Sequence, residues 1–302
     1  MPTTTLAQHV LAYIGDRLRR GEIKPKTARS IRNHVMPFAI SFGNRPIDQL
    51  SYKAVERWCE EMNREGLAMS TRAARLSSLR GFARWCVINN ILAKDFTLLA
   101  PKIRRPRVVP RDMTNEHVAL VLASARTSRE LLMGWLMYGC GCRCIEVHNL
   151  DVEDLDRVTM QVHLRGKFDH EREIPVPEPV LRAWDAYLEE AVHRTGALIR
   201  YVDGYGHGRL SPERISGVVG RMCRDSGVKV RSGDGRSAHG MRAAGASDLY
   251  DACLDPIVVQ EFLGHTSLAA GVPYLRRAKV GRVRDAQDRR PWAAVQDGIR
   301  AA

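Results

Sequence analysis

Six residues in the C-terminal half of the sequence have side chains that could act together at one site. They are Arg143, Lys167, His239, Arg242, His265 and Tyr274. His239 and Arg242 are three positions apart, which puts both on one face of a helix. His265 follows a glycine at a predicted helix end, and Tyr274 lies nine residues further on. The set predicts a cationic site that attracts an anionic substrate and carries a tyrosine hydroxyl.

Each of these residues has an ordinary explanation when it is taken alone. An exposed arginine is most often a solvated charge, and a lone histidine is most often a surface or core side chain. The same holds for Tyr274, which alone would be interpreted as a packed tyrosine. The order and spacing of the six residues together favour a functional site.

The net charge indicates the class of partner. The 302 residues contain 47 Lys and Arg against 34 Asp and Glu, a formal charge of +13, which predicts binding to nucleic acid. The most apolar run, 131–140, is far too short to span a bilayer, so no membrane partner is expected. No signal peptide pattern opens the chain, and we expect it to stay in the cytoplasm or its equivalent.

The cysteines do not predict a metal centre. There are seven, an odd number that favours reduced thiols over disulfides. Cys140, Cys142 and Cys144 flank Arg143, but alternate positions on a helix do not bring three thiolates together. We expect small buried thiols here and no metal or other cofactor.

The first hundred residues predict four helices and no strand. Apolar residues recur at spacings of three and four, beginning with the face formed by Leu6, Val10 and Ile14. The second helix is expected from about Thr27, with Pro37 kinking or ending it. The third follows Ser51, and the fourth starts near position 70. The periodicity then disappears between positions 96 and 112 in a run rich in Pro, Arg and Lys, which predicts a basic linker.

The second half predicts a mostly helical domain with one β-hairpin. Helices are expected near 115–125, 128–140, 178–195, 211–225, 239–252 and 256–264. Arg143 is expected to open a further helix. The alternation of Val158, Met160, Val162 and Leu164, followed by positions 173–176, predicts two strands. Lys167 would lie at the tip of this hairpin.

In order and spacing, the six residues resemble the tyrosine recombinase family, which includes phage integrases and Xer-type resolvases. The matching stretches are Tyr138-Gly-Cys-Gly-Cys-Arg-Cys-Ile-Glu146, Gly166-Lys167, His239-Gly-Met-Arg242, Leu263-Gly-His-Thr-Ser267 and Tyr274. The four N-terminal helices resemble the core-binding domain of the family. Nearly the whole chain is covered by the resemblance.

The resemblance implies a mainly α fold in two domains. A four-helix SAM-like core-binding domain would occupy 1–98, a basic linker 99–113, and a mixed, mostly α catalytic domain with a small β-hairpin would occupy 114–302. The catalytic domain would have the fold of DNA breaking-rejoining enzymes. Its C-terminal tail would dock on a neighbouring subunit.

The resemblance also implies a role for each site residue. Arg143 and Arg242 would bind the scissile phosphate, where guanidinium groups pair bidentately and stay charged. Lys167 would protonate the leaving 5′ oxygen, and His239 would act as general base or hydrogen-bonding positioner. His265 would donate a hydrogen bond to the phosphate. Tyr274 would be the nucleophile and form a 3′-phosphotyrosyl link without a cofactor.

Two further acidic residues are expected to have supporting roles. Glu146 is expected to orient a neighbouring side chain, and Asp154 is expected to be structural.

Some positions depart from the pattern of the family. Phe168 follows Lys167 where glycine is frequent, and Ala243 follows Arg242 where histidine is common. Pro273 directly precedes Tyr274 and pushes Val272 away from helical geometry.

The departures at Phe168 and Ala243 favour a phage or mobile-element integrase. The resemblance implies an enzyme without an arm-binding domain that acts in the bacterial cytoplasm, associated with the nucleoid. It would recombine double-stranded core sites as a homotetramer through a Holliday junction. A directionality factor could assist it. The alternatives are an Xer-like resolvase, a type IB topoisomerase and a catalytically inactive DNA-binding relative.

Overall fold

The computed structural model describes residues 5–103, 113–166, 171–191, 193–201, 208–231 and 233–264. The chain divides into two compact units, Met1–Val108 and Val109–Ala302, called here the N-terminal and the C-terminal unit. The linker expected over 99–113 falls mostly on positions outside the described residues. No helix in the described ranges is long and apolar enough to cross a membrane.

The N-terminal unit is built from four helices, as the sequence predicts. They are α1 (Leu6–Arg19), α2 (Pro25–Phe42), α3 (Tyr52–Arg64) and α4 (Met69–Ile88). Thr5 caps α1 in a reciprocal capping box with Gln8, which satisfies N–H groups that the first turn leaves unpaired. The apolar faces of the four helices meet in one core that includes Val10, Phe38 and Phe82.

Pro37 was expected either to kink or to end the second helix, and it does not end it. It lies inside α2, which continues to Phe42. A proline inside a helix removes one backbone hydrogen bond. The residues around it offset this loss by burial, because Phe38 packs its ring against Trp58 and Phe96 at centroid distances of 5.1 and 6.0 Å.

The C-terminal unit contains seven helices among its described residues. They are α5 (Asn115–Ala123), α6 (Ser128–Gly139), α7 (Cys144–Asn149), α8 (Glu178–Glu190), α9 (Pro212–Asp225), α10 (Ala238–Cys253) and α11 (Pro256–Leu263). Their apolar faces enclose a separate core with Leu136 and Trp184 fully buried. The helix predicted to open at Arg143 is α7, for which Arg143 is the N-cap residue.

A three-stranded antiparallel sheet lies on this unit in the order β1, β2, β3. The strands are β1 (Leu155–Asp156), β2 (Gln161–Arg165) and β3 (Glu171–Pro175). In the predicted hairpin of β2 and β3, Val162 pairs with Ile174 and Leu164 with Arg172.

Two residues expected in the first strand of the hairpin lie outside it. Val158 and Met160 precede β2 in a turn, where Val158 is 92% exposed and Met160 has a φ of 54°. The alternation of apolar residues therefore begins before the strand does.

The backbones of α6 and α10 approach closely beneath the site residues. A Cβ atom added at Gly245 of α10 would lie 2.0 Å from the carbonyl oxygen of Tyr138 in α6. Only glycine permits this approach. It packs α10, which carries His239 and Arg242, against α6. Nη1 of Arg242 then donates to the carbonyl of Gly141, in the turn that leads from α6 into α7.

Candidate active site

The turn between α6 and α7 places Arg143 at the start of a helix. Gly141 in this turn has a φ of +60°, and an added Cβ there would lie 2.6 Å from the ring of Phe262. The backbone N–H of Arg143 donates to Oε2 of Glu146 at 2.7 Å, so the carboxylate satisfies a donor that the helix start leaves unpaired. Local capping therefore fixes Glu146 beside Arg143.

Glu146 holds three arginines around one carboxylate. Its side chain is 0% exposed. Nη1 of Arg143 donates to Oε1 at 2.7 Å, and Arg172 donates to both oxygens, from Nη1 at 2.8 Å and from Nη2 at 3.0 Å. Nη1 of Arg242 lies 3.5 Å from Oε2. These four residues are called the Glu146 cluster below.

The Glu146 carboxylate is ionised at neutral pH. Burial acts to raise its pKa. The hydrogen bonds and the charge of Arg172, the backbone N–H of Arg143 and the charge of Arg242 act in the opposite direction, and the pKa lies below its ordinary value. Three guanidinium groups thus surround one negative charge, which leaves two positive charges in excess within the cluster.

The same three arginines bind the last carbonyl groups of α11. Nε of Arg172 donates to the carbonyl of Phe262 at 3.2 Å, Nη2 of Arg242 donates to that of Leu263, and Nη2 of Arg143 lies 3.4 Å from that of Gly264. The carbonyl groups at the end of a helix lack partners within the helix and attract positive charge. The end of α11 is therefore attached to the cluster through three successive residues.

His239 lies close enough to the arginines for its protonation to respond to them. It is in the first turn of α10, and its side chain is exposed. Partial desolvation by the surrounding protein, followed by the positive charges of Arg242 and Arg143, lowers its pKa. The imidazole is therefore mainly neutral at pH 7.

The structure brings together three of the six predicted site residues, Arg143, His239 and Arg242. Their exposure differs sharply, because 38% of the Arg143 side chain is exposed but only 2% of that of Arg242. The other three, Lys167, His265 and Tyr274, lie outside the described residues. In the sequence, Lys167 directly follows Gly166, which comes after β2, and His265 directly follows Gly264, which comes after α11.

A second arginine–carboxylate network lies in the same unit. Nη2 of Arg165 donates to Asp151 at 3.0 Å and to Asp154 at 2.6 Å, and Nη2 of Arg209 donates to Asp151 at 2.6 Å. These four residues are called the Asp151 cluster. It contains as many carboxylates as guanidinium groups, and Asp154 takes part in it as a structural residue.

Profiles of protein families match most of the chain. The profile of the Phage integrase family matches residues 111–279, more than half of the chain. The chain belongs to the phage integrase family. The profile of the N-terminal SAM-like domain of phage integrases matches residues 12–89. The protein is thus a tyrosine recombinase, a site-specific DNA strand-transferring enzyme.

Curated relatives of this recombinase carry the name tyrosine recombinase XerC. The protein from Mycobacterium bovis (strain BCG / Pasteur 1173P2) is 31% identical over 80% of this chain and 84% of its own length. The protein from Corynebacterium efficiens is 28% identical over 80% of this chain and 78% of its own length.

Solved structures of two integrases share the fold of the recombinase. A lambda integrase dimer bound to a COC′ core site matches with a TM-score of 0.76 at 18% identity, over 89% of this chain and 77% of that chain. The Tn1549 transposon integrase in complex with a circular intermediate DNA matches with a TM-score of 0.75 at 17% identity, over 95% of this chain and 100% of that chain. The expected mainly α fold with its small sheet is confirmed.

Sequence reasoning missed Arg172 in the recombinase. A signal was present, because Arg172 and the buried Ile174 are two apart in β3 and so share the inward face of the strand. A basic residue on an inward face needs a buried partner. Glu146, 26 positions earlier in the chain, supplies it.

Two of the three cysteines beside Arg143 pack as small buried side chains, as the sequence predicts. Cys140 and Cys142 are 0% and 1% exposed, whereas Cys144 is partly exposed. Burial raises the pKa of Cys140 to about 12 and that of Cys142 well above its ordinary value, so both stay protonated. Within the described ranges, no group of three or more His, Cys, Asp or Glu side chains could hold a metal ion.

Proposed function

We propose that this tyrosine recombinase cleaves one DNA strand with Tyr274 and rejoins it to a partner strand without a cofactor. The tyrosine oxygen attacks the phosphorus and loses its proton, while the bond from phosphorus to the 5′ oxygen breaks. The product is a 3′-phosphotyrosyl link and a free 5′ hydroxyl. Because the link conserves the free energy of the phosphodiester, the reverse reaction needs no ATP.

The Glu146 cluster is the observation that carries this proposal. Its two excess positive charges can be neutralised by a phosphate and by the further negative charge that builds up when the tyrosine attacks. Arg143, more than a third exposed, would contact a non-bridging oxygen first. Arg242 would contact the other one after a local rearrangement that uncovers it.

The remaining roles follow the family pattern. With its lowered pKa, His239 is neutral at pH 7 and able to accept a proton or a hydrogen bond from the attacking hydroxyl. Lys167 would donate a proton to the leaving 5′ oxygen. His265 would donate a hydrogen bond to the phosphate.

The substrate would be double-stranded core sites, recombined by a homotetramer through a Holliday junction. The support is the match to lambda integrase, solved as a dimer on a core site and as a tetramer on a Holliday junction, the latter with a TM-score of 0.73. The C-terminal tail would dock on a neighbouring subunit. A directionality factor could select between integration and excision.

Two biological roles fit this chemistry. Integration of a phage or mobile element is favoured by the departures Phe168 and Ala243 from the family pattern. Resolution of chromosome or plasmid dimers is favoured by the XerC relatives, at 28–31% identity. A type IB topoisomerase is less favoured, because the SAM-like domain matched over 12–89 belongs to phage integrases.

Covalent capture tests the chemistry. The full chain is incubated in EDTA with a pool of nicked duplexes of randomised sequence, so that cleavage near the nick traps the protein on DNA. A covalent adduct is expected on denaturing gels, and sequencing the trapped DNA gives the core site. Tyr274→Phe should abolish the adduct, whereas Tyr250→Phe, a tyrosine outside the family pattern, should retain it.

Adduct formation by Tyr274→Phe would show that another residue is the nucleophile. An adduct on DNA of any sequence, with relaxation of plasmids that lack the captured site, would favour the topoisomerase. Binding without adduct in the wild type would favour an inactive relative.

A plasmid assay separates the two biological roles. The captured site is placed twice on one plasmid, or once on each of two plasmids. An integrase is expected to join two molecules, with its two sites differing in sequence. A resolvase is expected to act on two identical sites and to convert dimeric plasmids into monomers.

A further inference from the structure

Arg172 uses its whole guanidinium group within the protein. Nε donates to the carbonyl of Phe262, Nη1 donates to Glu146, and Nη2 donates to Glu146 and to the carbonyl of Gly141 at 3.3 Å. Its side chain is 12% exposed. One side chain of β3 thus connects the turn before α7, the first turn of α7 and the end of α11.

The space for this side chain is shaped by glycine. A Cβ added at Gly264, which has a φ of +55°, would lie 3.0 Å from Nη1 of Arg172. Both the conformation and the close contact favour glycine at the last position before His265. The end of α11 is therefore fitted to the guanidinium group of Arg172.

Arg172 also partly neutralises the negative charge of Glu146, which faces Arg143 and Arg242. It makes two hydrogen bonds to Glu146, one to each oxygen. Without it, the carboxylate would carry its full negative charge opposite Arg143 and Arg242 alone. The two guanidinium groups would then be drawn to Glu146, and the excess charge of the cluster would fall from two to one.

We infer that Arg172 is a positioning residue of the recombinase, which neutralises Glu146 and fixes the end of α11 so that Arg143 and Arg242 can bind the scissile phosphate. The role in binding the scissile phosphate rests on the proposed function. Arg172 itself does not touch DNA. It acts on the reaction through charge and through the position of the chain that enters His265.

The variants Arg172→Gln and Arg172→Lys test the inference, with Arg209→Gln as a matched control. Arg209 also binds one carboxylate and two carbonyl groups, those of His148 and Leu150, but in the Asp151 cluster. Arg172→Gln should slow single-turnover adduct formation on the captured site by about 100-fold, because misplaced groups lose this much. The dissociation constant for DNA should change by less than about threefold, since few phosphate contacts are affected.

A double variant separates charge from packing. Adding Glu146→Gln to Arg172→Gln restores two excess positive charges in the cluster. The rate of adduct formation should therefore be about 10-fold higher in the double variant than in Arg172→Gln. The melting temperature should stay low, because the contacts of Arg172 are still missing. Arg172→Lys, which keeps the charge but binds fewer acceptors, should lie between the wild type and Arg172→Gln. Arg209→Gln should lower the melting temperature and leave the cleavage rate unchanged.

Hydrogen exchange gives a second result that needs no cleavage. The amides of the last turn of α11 should exchange faster in Arg172→Gln, and in Arg172→Lys if the glutamine variant does not fold, but not in Arg209→Gln. Unchanged exchange there would overturn the inference even if the wild type cleaves DNA. Equal slowing of cleavage by Arg172→Gln and Arg209→Gln, or a double variant no faster than the single one, would also overturn it. If the wild type forms no adduct, the proposed function is wrong, and so is the inference that Arg172 positions Arg143 and Arg242 for the scissile phosphate. The hydrogen-exchange result would still decide whether Arg172 fixes the end of α11.

Discussion

The Glu146 and Asp151 clusters lie in the same unit and use the same two types of side chain, but their charge balance differs. The Asp151 cluster joins two arginines to two aspartates, with side-chain exposures between 13% and 38%. The Glu146 cluster joins three arginines to one carboxylate that is fully buried. Both connect segments distant in sequence. Only one of them lacks the negative charge needed for neutrality.

This difference separates a structural network from one prepared for a ligand. A balanced network satisfies its own charges, so it needs no further partner. Buried excess charge costs free energy of folding unless an ion of opposite sign is bound. The excess charge of the Glu146 cluster therefore lowers the stability of the fold, and a bound DNA phosphate can remove this destabilisation. The two clusters should respond differently when the same kind of side chain is removed from each.

The largest expected effect comes from removing each central carboxylate. Glu146→Ala should lower the free energy of unfolding of the C-terminal unit by about 3–5 kcal/mol, because it leaves three arginines without their buried counter-charge. Asp151→Ala should lower it by about 1 kcal/mol, since Arg165 keeps Asp154 and both arginines reach solvent. Urea titrations of both variants measure the difference, and equal losses would remove the distinction between the clusters.

Replacement of glycine by alanine should cost more stability in α10, which carries Arg242 of the Glu146 cluster, than in α9. Gly245→Ala should destabilise the unit by about 1–3 kcal/mol, because the new methyl group meets the carbonyl of Tyr138. Gly217→Ala in α9 is the control. Nothing lies within 4 Å of its added Cβ, so it should stabilise the helix by about 0.5–1 kcal/mol. Thermal unfolding of both variants measures these changes in stability. If Gly245→Ala leaves the stability unchanged, α6 and α10 can move apart freely.

An anion should stabilise the unbalanced cluster. Inorganic phosphate should raise the stability of the wild type by about 1 kcal/mol relative to chloride at equal ionic strength, which corresponds to a concentration a few times its dissociation constant. The gain should shrink in Arg143→Gln and persist in Arg209→Gln. Melting temperatures with both salts measure it, and an equal gain in all three proteins would place the anion elsewhere.

The smallest expected effect is on the titration of His239. Its pKa, measured by NMR of the imidazole, should lie below the ordinary value. Arg143→Gln should raise it, since one of the repelling charges is lost, while Arg209→Gln should not. Because the folded-state pKa is lowered, the unfolded chain takes up the proton first as the pH falls, and His239 costs stability below about pH 6.5. An unshifted His239 would mean that the arginines do not act on it.

Local patterns in the sequence were enough to predict much of the fold. The spacing of apolar residues predicts the four N-terminal helices, and the three-residue interval from His239 to Arg242 places both on one turn of α10. Boundaries were less predictable. Pro37 stays within α2 because burial of its neighbours compensates for it, and a periodic pattern does not contain that information.

For the described part of the candidate site, the sequence indicated which residues lie together but not which contacts they make. The order of Arg143, His239 and Arg242 pointed to a shared site. The contact between Arg172 and Glu146 joins β3 to α7, and no spacing rule specifies which buried carboxylate an inward arginine finds. The burial of Arg242, at 2% exposure, also depends on the packing of α10 against the turn at Gly141.

The attachment of α11 to the arginines has a consequence for how the sequence can vary. All three acceptors at the end of this helix are main-chain carbonyls, which every amino acid possesses. Phe262 and Leu263 can therefore be exchanged for other residues without losing an acceptor, provided that packing is preserved. On the opposite side, each donor belongs to one particular side chain. Mutational tolerance should consequently be broader at Phe262 and Leu263 than at the three arginines, whereas Gly264 stays restricted by its conformation and its contact with Arg172.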